Sequence, residues 1–129
     1  MMKALLFAAL LSYSLTTASF ADPACDMNYE IDASLPGAKE VSAATSCAEA
    51  VGIAKNYQKS TVPTIRAAMM AVEICSWDFI DDAVLVSQFC KEAKKCNDKY
   101  TGRPGSIHGI LNARCMADAA LEVSNQVTQ

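Results

Sequence analysis

The chain is poor in the residues that most enzymes and metal sites depend on. Its 129 residues hold one histidine and one tryptophan. A serine or cysteine nucleophile needs a positioned base, most often histidine, so His108 alone would have to serve any such site. No Gly-x-Ser-x-Gly elbow is present to present a serine nucleophile. Asp26, Asn28, Glu30 and Asp32 offer oxygen ligands at alternate positions, but the midway glycine and the closing glutamate of a calcium loop are missing. No metal or other cofactor is expected. Asp78 and Asp82 fall one helical turn apart, as a cation site or paired acids would, but compensation of a helix dipole is the better explanation of them.

Long apolar runs are also scarce. The longest, Ala4 to Leu11, is too short to cross a bilayer and is followed by Ser12, Ser14, Thr16 and Thr17. It follows Met1, Met2 and Lys3 and precedes Ser19-Phe20-Ala21, the pattern of a secretory signal peptide cut after Ala21. Residues 1–21 are therefore read as a leader and 22–129 as a single helical domain, exported to the periplasm or the extracellular space without a membrane anchor. The net charge of −3 becomes −4 when Lys3 leaves with the leader. A mildly acidic chain lacks the field of a nucleic-acid binder.

What the chain does have is cysteine. There are six, all beyond residue 21, and an even count in a short exported chain reads as three disulfides. Three of them, with the tryptophan, lie in Cys75–Cys96, CSWDFIDDAVLVSQFCKEAKKC.

The remainder divides by its punctuation. From Asp22 to Lys39 two prolines and a Pro-Gly pair argue for an extended N-terminal arm. Thr45 or Ser46 caps a first helix to about Lys59, with Cys47, Val51, Ala54 and Tyr57 on one face and Gly52 weakening it unless a neighbouring helix packs closely there. Val62-Pro63 opens a second, with Ile65, Met69, Val72 and Cys75 buried and Arg66 and Glu73 facing water. The Met69-Met70 pair is read as core packing, with a ligand groove as the alternative. Ser76 caps a third helix running to about Tyr100, acidic at its start and basic at its end. Thr101 to Gly105 breaks the chain, and Ser106 opens a fourth helix with a stripe of Ile107, Ile110, Leu111, Ala117 and Leu121. The expected fold is all-α, a small disulfide-stapled four-helix bundle with an extended arm.

Helix geometry restricts the cross-links. If Cys75, Cys90 and Cys96 share one helix, its rise of ~1.5 Å per residue keeps them too far apart to bond to one another. Each must then reach Cys25, Cys47 or Cys115. Matching depths in antiparallel hairpins selects Cys47–Cys75 and Cys90–Cys115, leaving Cys25–Cys96.

Two features suggest contact with another protein. Lys91, Lys94, Lys95, Lys99 and Arg103 form a basic strip that would dock an acidic partner, or simply end a solvated helix. Trp77 is either a core anchor near Cys47–Cys75 or an exposed binding residue. The leading expectation is a non-enzymatic protein-binding module, such as an inhibitor or immunity-type protein. The alternatives are a carrier of a small apolar ligand and a low-activity hydrolase using His108.

Overall fold

The computed structural model describes residues 31–58, 60–101 and 107–127. The leader, the arm through Glu30, Cys25 and Arg103 lie outside the described residues. What is described is all-α, with no strand among these residues: α1 (Ala38–Ser42), α2 (Cys47–Asn56), α3 (Thr61–Ser76), α4 (Ala83–Lys99) and α5 (Ile107–Val127).

Local chemistry sets the boundaries. Gly37 has a φ of 90°, and a Cβ there would run into the Pro63 carbonyl, so only glycine lets the chain turn and lay α1 on the start of α3. At α2, the Ser46 hydroxyl accepts the Glu49 N–H at 3.2 Å, while the Glu49 carboxylate accepts the Thr45 N–H at 3.0 Å. This reciprocal cap satisfies donors that the first turn leaves open. Its buried face is Cys47, Ala50, Val51 and Ala54, with Tyr57 buried at its end. Gly52 faces open space, so no neighbouring helix packs closely there to offset its cost to the helix.

α3 ends at Ser76, whose hydroxyl donates to the Glu73 carbonyl, and residues 77–81 form a turn. The single helix expected from Ser76 to Tyr100 is therefore corrected: α4 begins at Ala83. Two forces make the break. Asp82 accepts the N–H groups of Val84 at 3.0 Å and Leu85 at 3.2 Å, giving α4 a new start. Phe79, in the turn, is only 1% exposed and packs on Phe89 of α4 with ring centroids 5.8 Å apart.

The core lies where α3 meets α5, the most extensive helix contact. It is built of small side chains: Ala67, Ala68 and Ala71 on α3, and Ala113, Ala117 and Ala120 on α5 are all buried. Small residues let two helix backbones approach closely. Of the stripes expected above, Val72, Cys75 and Ala117 are buried as expected, and the larger residues are not fully buried. Ile65 and Met69 are half-buried, Met70 is buried, and Ile107 and Leu111 are exposed. α5 also touches α2 and α4, whereas α4 touches no other described helix.

The disulfides follow this layout. Cys47–Cys75 joins α2 to α3 with α-carbons 4.6 Å apart, the pair that depth matching selects. Cys96–Cys115 joins α4 to α5 at 5.8 Å. The expected pairs Cys90–Cys115 and Cys25–Cys96 are thereby corrected. Depth matching assumed that both helices end level, but α5 overshoots α4: Asn112 donates to Asn97 at 2.8 Å, setting residue 97 opposite 112. Cys90 then lies roughly 9 Å along the axis from Cys96, level with the middle of α5 and beyond reach of Cys115. Cys90 is nevertheless buried and disulfide-bonded. The two bonds above use four cysteines, which leaves Cys25 as the remaining cysteine of the sequence.

A candidate interaction surface at the Trp77 pole

The turn between α3 and α4 builds one end of the molecule. Because Phe79 is drawn inward, its neighbours point outward: Trp77 is 63% exposed, Ile80 45% and, one turn into α4, Val84 75%. The core-anchor reading of Trp77 is thus corrected to a solvent-facing indole. The C-terminus of α5 arrives beside it, bringing Gln126 and Val127, the latter 47% exposed. Together these segments enclose an open cleft of about 550 Å³ lined by Trp77, Asp78, Phe79, Asp81, Asp82, Leu85, Gln126 and Val127.

The three aspartates of the cleft have different duties. Asp82 caps α4. Asp78 accepts a short hydrogen bond from the Ser124 hydroxyl, tying the turn to α5. Asp81 is exposed and makes no hydrogen bond or ion pair among the described residues. The paired-acid geometry considered for Asp78 and Asp82 is thus divided between a tether and a cap, and both line the same cleft.

The basic strip occupies the other half of α4. Lys91, Lys94, Lys95 and Lys99 are all exposed, on the side of the helix away from Phe89, Ala93 and Cys96. Glu92 bonds Lys95 at 3.0 Å, and Asp98 stands exposed among the lysines. The Lys99 ammonium sits 5.3 Å from the Tyr100 ring centroid. Asp82 and Lys99 are separated by roughly 26 Å along the helix, so the structure does not bring Trp77 together with the far lysines.

The other candidates are dispersed. His108 is exposed in the first turn of α5. No cysteine among the described residues is a free thiol. No group of histidine, cysteine and carboxylate residues able to hold a metal is found among the described residues, and Asp32 instead accepts the Ser34 hydroxyl at 2.7 Å and the Ser34 N–H at 2.9 Å. Those two bonds, the hydroxyl first, hold the Asp32 carboxyl below its ordinary pKa. Glu49 is lowered likewise by the Thr45 N–H and then the Thr45 hydroxyl. Both are surface turns and caps with no chemistry attached. No helix of the described residues is long and apolar enough to cross a membrane.

Two residues important to this surface escape sequence reasoning. Phe79 reads as one more apolar residue of a continuous helix, and Val127 lies beyond the last residue of the stripe, Leu121. The available signal was Asp82, an N-cap type followed by Ala-Val-Leu-Val, which marks a helix start. Arg114 is a third omission: its guanidinium donates to the Lys55 carbonyl at 2.8 Å, and Lys55 pairs with Asp118 at 2.8 Å, so α5 closes the C-terminal end of α2. Compared with known proteins, the chain matches no family model, no curated protein and no solved structure.

Proposed function

We propose that the chain is an exported, non-enzymatic protein-binding module of the periplasm or the extracellular space, of the inhibitor or immunity type. The observation that carries this reading is the 63% exposure of Trp77 at the rim of a cleft, flanked by Ile80, Val84 and Val127. A small protein gains nothing in folding from an indole held in water, whereas aromatic residues of this kind dominate the binding energy of protein interfaces. Oxidised cysteines and the leader-like first 21 residues support export. The architecture assumed is the disulfide-stapled four-helix bundle of α2 to α5, with the N-terminal arm fastened to it by Cys25.

A carrier of an apolar ligand has less support, because the helices that meet at the α3–α5 seam bury alanines there and Met70 is buried in the core. A hydrolase using His108 has less again, since that residue stands in water apart from the cleft.

The test is capture. The oxidised mature chain, immobilised and exposed to material from its own compartment, retains one protein in stoichiometric amount, and Trp77→Ala loses it. Absence of a stoichiometric partner, or ligand retained in native mass spectra of the freshly purified chain, contradicts the reading.

A further inference from the structure

The cleft beside Trp77 has a chemistry that selects among partners. Its apolar lining is Trp77, Phe79, Leu85 and Val127, and every charged residue in it is an aspartate. Of the three carboxylates, Asp82 and Asp78 are engaged by α4 and by Ser124, and Asp81 keeps its full charge available. The face of an indole attracts cations too, and guanidinium best of all. A volume of about 550 Å³ is of the size that ligand pockets have.

We propose that this cleft receives a basic segment of a protein partner, an arginine side chain lying between Trp77 and Asp81 with an adjacent apolar residue against Leu85 and Val127. The inference rests on the protein-binding reading and names the chemistry of the partner. A neutral apolar ligand would desolvate the aspartates without compensation, and an acidic one would be repelled. A second copy of this chain is a poor occupant, because its exposed lysines are interleaved with Glu92 and Asp98 and Lys95 is already paired.

The chain's only tryptophan is the reporter. The oxidised mature protein is titrated with an acetylated, amidated Leu-Arg-Leu-Arg-Leu peptide, and with counterparts carrying citrulline or glutamate in place of arginine. The arginine peptide shifts Trp77 emission and saturates, binding at least about tenfold more tightly than either counterpart. Its affinity falls as ionic strength is raised from about 0.05 to about 0.5 M. Asp81→Asn weakens it about three- to tenfold with an unchanged circular dichroism spectrum, and Glu92→Gln, on the far half of α4, leaves it unaltered.

Equal affinity for the citrulline peptide, preference for the glutamate peptide, no change in emission, or a Trp77 already shielded before any peptide is added each overturns the proposal. The two readings fail separately. A captured partner that survives Asp81→Asn and cross-links through Lys91, Lys94, Lys95 or Lys99 leaves the binding module standing and removes this site. Arginine-peptide binding with no captured partner does the reverse.

Discussion

The α3–α5 seam and the α3–α4 turn are adjacent in the chain and opposite in character. The seam buries alanine after alanine and holds two helices by close backbone approach, while the turn holds one phenylalanine inside and displays a tryptophan, an isoleucine and a valine outside. The seam is closed by small side chains, whereas Trp77, Ile80 and Val84 stand exposed at the turn and the start of α4, where something else can cover them. α4 belongs to the second region: among the described helices it touches only α5, and it is held by Phe89, Ala93, the Cys96–Cys115 bond and the disulfide of Cys90.

Substitutions that blur this contrast are expected to cost most. Phe79→Ala removes the plug that forces the turn and should destabilise by about 3–5 kcal/mol, with loss of the α4 start, measured by urea unfolding. Replacing Cys96 and Cys115 together by alanine should cost about 3 kcal/mol, and amide exchange should rise first along α4, which has no second helix to hold it. Replacing Cys47 and Cys75 costs a similar amount, yet α2 keeps its contacts with α1 and α5. Equal loss of protection in α2 and α4 would contradict the difference drawn between them.

Smaller effects sharpen the comparison. Gly52→Ala should stabilise by about 0.5–1 kcal/mol, because the position is helical, exposed and unobstructed. Trp77→Ala should move the folding midpoint by less than about 0.5 kcal/mol, where a core tryptophan would cost several. Smallest of all is the pH response of the α2 cap. The Glu49 carboxyl is lowered from 4.5, so its contribution is complete above that value and is lost as pH falls through the folded pKa beneath it. Glu49→Gln should flatten the stability curve in that acid window and leave neutral pH nearly unchanged.

The helical class, the breaks near residues 60 and 102, the cap at Ser46 and the Cys47–Cys75 bond are legible in the sequence because each follows from local rules. The α3–α4 boundary is not. Both Ser76 and Asp82 are good N-cap types, no glycine or proline lies between them, and the choice is made by burial of Phe79 against Phe89, a tertiary event. The burial pattern of α3 and α5 is hidden for a related reason. A hydrophobic stripe drawn through isoleucine, leucine and methionine ignores alanine, yet close helix approach selects alanine. The level of α5 relative to α4 depends on the Asn97–Asn112 contact, and with it went the Cys90–Cys115 and Cys25–Cys96 pairings. Peptide mapping of the unreduced protein should return Cys47–Cys75, Cys96–Cys115 and, by exclusion, Cys25–Cys90. Of the candidate site residues, Trp77 is at the surface and distant from the lysines at the end of α4.

The most direct test of the contrast between closed seam and open pole is the emission of Trp77 in the oxidised mature chain. The account expects a long-wavelength maximum and acrylamide quenching close to that of the unfolded protein, with both changing when a partner binds. A blue-shifted maximum with little quenching in the free protein would place the indole inside and contradict it.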